Sequence, residues 1–275
     1  MLIENFRERY SAIPLAIFAR DHRKDSVKRD RITIAHMHKE IELLLVLEGE
    51  AEVHMDSSVY PIRKGSIVVI APHTLHQYTL FADRDFSHYC LCFDPELLGD
   101  PQLRTDLENG NIRITGILED SPECAQYIQN AYHACDKQLP GWNLTATGSL
   151  QLIFGAFLRM GYLQNSQSPA QRSVYRDIYQ YITDHYREDI TSSDAAASLG
   201  FHNSYFCRLF HKTFGDSFQN YVCSYRLEKA RNLLLTKDLP ISQVAAQVGF
   251  NSFSYFSKKF REYYHSTPSE YKKRS

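Results

Sequence analysis

The chain has 275 residues, 43% of them hydrophobic, with 31 Lys and Arg against 32 Asp and Glu. That length suggests two domains, and the composition is that of a folded globular chain, which excludes disordered and collagen-like classes. Apolar runs such as Leu43 to Leu47 are far too short for a membrane span, and Met1 to Arg9 has no apolar signal core, so a cytoplasmic protein with no membrane partner is expected.

The near-neutral total hides an asymmetry. Residues 172–275 carry 15 Lys and Arg and 10 Asp and Glu, whereas residues 1–171 carry 16 and 22. A basic C-terminal part suits a polyanionic partner, and an acidic N-terminal part argues against DNA contact there.

The N-terminal part, to about residue 115, reads as β. Strands are expected at Ile13 to Phe18, Ile41 to Leu47, Ala51 to Met55, Val59 to Ile62, Ser66 to Ile70 and Phe86 to Phe93, with breaks at Gly49, Asp56-Ser57-Ser58 and Gly65. Many short strands separated by turn residues imply a sandwich or jelly roll. The sharpest chemistry lies in His36-Met-His-Lys-Glu-Ile-Glu42 and in Gly65 to His76. Histidines and carboxylates gathered in this way can hold a divalent metal. His36, His38 and Glu42 also share strand parity, so they can face one interior. Polar residues lining a small-ligand pocket would look the same. His54 and His88 read as surface or packing histidines. Cys90 and Cys92 project from one strand face but lack zinc-ribbon spacing. The six cysteines read as free, mostly buried thiols.

From Ser121 the pattern turns helical. Ser121-Pro-Glu supplies an N-cap, a proline at the first position and an acid in the first turn, and this helix runs to about Lys137. Pro140-Gly141 breaks it. A second helix is expected over Leu144 to Leu163, apolar on too many faces for one-sided burial. It suits packing on the β domain together with a homodimer interface. Gln164 to Gln171 reads as a linker.

The C-terminal part contains a repeat. Asp194 to Phe210 and Ile241 to Phe260 each give a short alanine-rich helix, Gly-Phe, a polar turn and a second helix with phenylalanines four apart. Gly200 and Gly249 stand where the chain turns, a position suited to positive φ. Each copy is a helix-turn-helix. On the first exposed face stand Ser204, Cys207, Arg208, His211 and Lys212, with Leu209 turned inward. On the second stand Phe253, Ser254, Ser257, Lys258 and Arg261, with Tyr255 turned inward. Both faces are basic and polar and suit a major groove. Lys212, Lys259 and Arg261, nearer the helix ends, suit phosphate.

Gly200 to Gly215, Phe218 to Leu234, Gly249 to Phe260 and Thr267-Pro-Ser-Glu-Tyr271 resemble the DNA-binding domain of AraC/XylS regulators. Cys207 departs from the family's polar base-reading residue, and His265 stands where many members have Gly. The two histidine stretches resemble the paired cupin motifs, with Ala71 in place of Pro and His73 in place of Gly. In cupin enzymes the positions matching His36, His38, Glu42 and His76 hold a metal. In regulators of this family such barrels sense effectors.

The resemblance implies an α+β two-domain chain. A cupin-like β-barrel (jelly roll) with a helical hairpin would occupy 1–163, a linker 164–172, and an all-α domain with two helix-turn-helix motifs 173–275. The expected function is a transcription regulator, not an enzyme. It would bind double-stranded DNA as a homodimer under control of a small-molecule effector, a sugar being the family-level guess. It would contact RNA polymerase if it is an activator. No cofactor is required by this reading, and an organic ligand is preferred at His36, His38, Glu42 and His76. A divalent metal there, in a metal-dependent cupin enzyme or a metal-sensing regulator, is the alternative.

Overall fold

In the computed structural model, strand β1 (Leu15–Asp21) is followed by β2 (Ile41–Met55), a fifteen-residue strand around which the N-terminal unit is built. The structure describes residues 13–21, 34–56, 58–81, 85–114, 116–165 and 174–273. The sequence readings at Met1–Arg9, Ser57 and 166–172 lie outside the described residues. The chain divides into two units, built chiefly on residues 37–173 and 174–275.

β3 (Ser58–Arg63), β4 (Ile67–Ile70), β5 (His76–Leu80) and β6 (Phe86–Phe93) complete the main strands. All their pairings are antiparallel. The first half of β2 pairs with β4 and β6, and its second half with β3 and β5. The two strands expected at Ile41 to Leu47 and Ala51 to Met55 are therefore one strand. Its irregularity is a bulge between Val46 and Glu48. A bulge adds a residue and shifts the alternation by one. Accordingly Leu44 and Val46 before the bulge, and Ala51, Val53 and Met55 after it, all join one core with Ile62, Val68, Ile70, Tyr78 and Phe86. Ile41, Leu43 and Leu45 face the other way.

That outer face meets helices. A 3-10 turn (Pro95–Leu98) and α1 (Pro101–Asn109) follow β6, then β7 (Ile112–Ile114) and β8 (Ile117–Leu118). α2 (Pro122–Asp136) and α3 (Trp142–Arg159) pack Cys124, Ile128, Leu150, Ile153, Phe154 and Phe157 with Ile41, Leu43, Leu45, Leu91 and Phe93. Burying each large side chain here is worth about 1.5–3 kcal/mol. Ser121 holds the N-cap position of α2 without a capping side-chain bond. α3 stops at Arg159, short of Leu163, because Leu163 instead opens β9 (Leu163–Asn165), which pairs with β7.

The C-terminal unit is all helix: α4 (Val174–His185), α5 (Ser192–Ser198), α6 (Asn203–Phe214), α7 (Phe218–Thr236), α8 (Ile241–Gln247), α9 (Phe253–Tyr264) and α10 (Pro268–Lys273). Thr191 and Asp194 form a capping box that starts α5. Gly200 (φ 75°) and Gly249 (φ 89°) make the two interhelix turns in the left-handed region. Phe206, Phe210 and Phe214 bury one stripe of α6 against Phe218 and Tyr221. Phe256, Phe260 and Tyr264 do the same on α9. The buried stripe thus follows an i, i+4, i+8 line. Tyr255 lies about 100° away from that line and is 49% exposed, and Leu209 is only half-buried, so neither faces fully inward. No helix among the described residues is long and apolar enough to cross a membrane.

Candidate functional site

Glu42 is the centre of the N-terminal cluster. It lies near the start of β2 with its side chain on the interior parity, and it is 4% exposed. A buried carboxylate is unfavourable without partners, and the surrounding strands supply them. Tyr78 on β5 donates its hydroxyl hydrogen to Oε1 at 2.6 Å. On the other oxygen, Oε2, converge His38 Nε2 at 3.5 Å, His76 Nε2 at 3.7 Å and Cys92 Sγ at 3.4 Å. The rings of His38 and His76 meet edge to face, with centroids 5.0 Å apart.

The histidines share a feature. His36 Nδ1 is 3.0 Å from the Ile34 carbonyl, His38 Nδ1 is 3.0 Å from that of Glu40, and His76 Nδ1 is 2.9 Å from that of Thr74. A carbonyl oxygen only accepts, so each Nδ1 carries the proton and donates it. Nε2 is then the atom each ring offers as a ligand. One ligand atom from each of His36, His38, Glu42 and His76 lies within 4.8 Å of the others, and for His38 and His76 the nitrogen that faces Glu42 is Nε2. One ion about 2.1 Å from each donor spans pairs up to about 4.2 Å apart, so small side-chain adjustments close the set. Burial alone would raise the Glu42 carboxyl pKa. When His38 and His76 also carry a proton on Nε2, as imidazolium in the absence of a metal, their hydrogen bonds and charge outweigh burial and hold the group well below the usual carboxylate range; a bound metal replaces those Nε2 protons. The cluster therefore presents an anion and three imidazole nitrogens in one small, buried space, which fits the donor chemistry of a divalent transition metal.

The sequence reading reached His36, His38, Glu42 and His76 but missed three neighbours. Tyr78 stands two residues after His76 on the same strand face, a legible signal. Cys90 and Cys92 share a face as expected, yet their partner is visible only in the pairing of Glu42 with Cys92 across β2 and β6. His54 lies at the strand surface 3.3 Å from Thr79 Oγ1, and His88 is buried beside Phe86.

The second candidate surface is on α6 and α9. Ser204, Cys207, Arg208, His211 and Lys212 are all exposed on α6, as are Phe253, Ser254, Lys258 and Arg261 on α9. Ser257 and Lys259 are half-buried. Lys259 Nζ is 2.9 Å from Glu262 and Lys258 Nζ 4.0 Å from it. Part of the basic charge of α9 is thus shared with a carboxylate on the same helix.

Comparison with known proteins agrees with both halves. Residues 27–154 match the model of the AraC-like ligand binding domain, and residues 193–274 that of a helix-turn-helix domain. The uncharacterized HTH-type transcriptional regulator YdeC of Bacillus subtilis is 27% identical over 248 residues, 86% of this chain and 85% of that one. The regulatory protein PocR of Salmonella typhimurium is 36% identical over 100 residues, 36% of this chain and 33% of that one. ToxT from Vibrio cholerae, crystallised with an unsaturated fatty acid, shares the fold at a TM-score of 0.55, with 17% identity and 94% of each chain covered. A ligand-binding β domain thus precedes a double helix-turn-helix, and the chain belongs to the AraC family of DNA-binding transcription regulators.

Proposed function

We propose that the ligand this regulator reads is a divalent transition-metal ion held by His36, His38, Glu42 and His76, and that occupancy of that site sets how the C-terminal domain engages DNA. The observation that supports it most is the use of the Nδ1 proton of all three rings by backbone carbonyls, which leaves Nε2 as the ligand nitrogen of each in a set whose donor atoms converge with Glu42. Metal-binding imidazoles characteristically donate their other N–H in this way. Donor atoms within 4.8 Å of one another converge closely enough to share a single ion. The domain works as a sensor, not as an enzyme, in keeping with relatives that are themselves regulators.

In this reading residues 1–163 sense and dimerise, 164–172 link, the first two of them as the end of β9, and 173–275 bind DNA in the cytoplasm. α6 and α9 enter successive major grooves about 34 Å apart, so one monomer covers an asymmetric site. Arg208 and Lys258 read guanine, with Ser204, Cys207, Phe253, Ser254 and Ser257 beside base edges. His211, Lys212, Lys259 and Arg261 hold phosphate. Homodimerisation uses α3, where Leu144, Leu152 and Leu158 are more than half exposed. If the protein activates transcription, RNA polymerase is a further partner.

The test uses the full chain, stripped with chelator and titrated with Zn²⁺, Ni²⁺ and Mn²⁺, on DNA selected by the protein from a random pool. One ion per chain and a changed DNA affinity are expected, with both lost in His38→Ala and Glu42→Ala while basal DNA binding persists. A protein that retains no metal, and whose melting temperature rises only with sugars or fatty acids, overturns the metal reading in favour of an organic effector.

A further inference from the structure

Buried cysteines usually behave as small hydrophobes, and Cys124 and Cys135 do so, packed in the apolar layer beneath α2 and α3. Cys90 and Cys92 differ. They are two residues apart on β6, so both thiols leave the same face of the strand, and each is 2% exposed. The register of β6 against β2 sets Cys92 opposite Glu42 and Cys90 opposite Leu44. Their sulfurs are 3.7 Å apart, and Cys92 Sγ is 3.4 Å from Glu42 Oε2. Glu42, Cys90 and Cys92 place their donor atoms within 4.8 Å of one another, the same closeness as the histidine set. Glu42 belongs to both sets. Tyr78 occupies Oε1, so Oε2 is the oxygen that Cys92, His38 and His76 share.

We infer that Cys90 and Cys92 form, with Glu42, a thiol-bearing donor set continuous with the histidines, and that the ion bound here is a thiophilic one, zinc or a softer d10 cation. The inference deepens the metal reading of the same pocket and rests on it. Three nitrogens and an oxygen alone suit manganese, iron, nickel or zinc alike, whereas sulfur ligands favour zinc and copper(I) over the hard ions. Each metal–sulfur bond forms as a thiol gives its proton to the solvent, since the thiolate is the ligand. No electron is transferred. Two cysteines that lack zinc-ribbon spacing can still contribute to a site here, because the remaining ligands come from Glu42 and the loops and strands that carry the histidines.

Cobalt(II) serves as the probe, since it takes zinc's place and reports its ligands in its absorption spectrum. The full-length, reduced, chelator-stripped chain is titrated with cobalt and then with zinc and manganese. A strong near-ultraviolet sulfur-to-cobalt charge-transfer band is expected in the wild type. It should be lost in Cys92→Ser and diminished in Cys90→Ser. Zinc affinity should fall roughly tenfold or more in Cys92→Ser, with manganese affinity unchanged. Cobalt binding that depends on His38 and His76 but shows no charge-transfer band overturns this inference and leaves the histidine site standing. Absence of cobalt and zinc binding overturns both. The wild-type spectrum alone decides whether sulfur is bound, so a variant that fails to fold leaves the question answerable.

Discussion

Tyr78 and Glu42 join the two halves of the β2-centred sheet: the phenol on β5 donates to a carboxylate on the first half of β2 at 2.6 Å. The bond does two things at once. It satisfies one oxygen of a buried anion, and it turns the other toward His38, His76 and Cys92.

Tyr78→Phe removes that donor with little change of shape. The expected loss is about 1–3 kcal/mol of stability for the N-terminal domain, because a buried oxygen is left with fewer partners. Metal affinity should fall by about tenfold or more, since the carboxylate is freed to rotate. Urea unfolding and zinc titration of the same preparation check both, and an unchanged affinity means that Oε2 is oriented by the histidines alone.

Alkaline pH should loosen the metal-free N-terminal domain. Burial pushes the Cys90 thiol up to about 11 from an ordinary value of 9.0; the Glu42 charge adds to this, and the hydrogen bond with Cys92 opposes it. The folded chain therefore keeps a proton that the unfolded chain begins to release near pH 9. The stabilisation from Cys90 is complete below that pH and is lost as pH climbs to about 11. A difference of that size corresponds to about 2–3 kcal/mol. Unfolding free energies measured from pH 8 upward in reductant and chelator should decline over that window, and Cys90→Ala should flatten the decline. An equally steep decline in the variant assigns it to other groups.

On the DNA face, Arg208→Ala and Lys258→Ala should each cost about 1–3 kcal/mol on selected DNA and relax preference at one base pair. Lys212→Ala and Arg261→Ala should weaken all sequences alike and flatten the dependence on salt. Lys259 differs, because its ammonium is 2.9 Å from Glu262. Glu262→Gln should therefore strengthen non-specific binding and steepen the salt slope. Binding isotherms at several salt concentrations distinguish these outcomes. Equal loss of specific and non-specific binding in Arg208→Ala would move that residue to the phosphate class.

The C-terminal half was readable because its information is local. Phenylalanines four apart, glycines at the turns and a repeat all lie within short windows, and α5 to α9 follow them closely. Tyr255 misled because an aromatic beside an apolar stripe resembles part of it, and only the 49% exposure reveals the difference. The β half depends on pairings distant in sequence. Gly49 reads as a break because glycine punctuates chains, yet β2 continues through it. β5 begins at the last residue of the histidine motif and is only five residues long, His-Gln-Tyr-Thr-Leu, with little apolar alternation to mark it. The four donors were legible as a spacing. Tyr78, Cys90 and Cys92 became neighbours of Glu42 only through the folding of β5 and β6 onto β2.

Gly49 opposes Phe86 in the same ladder that sets Glu42 opposite Cys92. A side chain at Gly49 would collide with the Asp85 backbone carbonyl, so any other residue there must push β2 and β6 apart. Seven positions along a stiff ribbon, that push reaches the donors as a change in their spacing. A screen for mutants whose DNA binding no longer responds to the ion, while selected DNA is still bound, should therefore recover Gly49 alongside the residues that hold the ion.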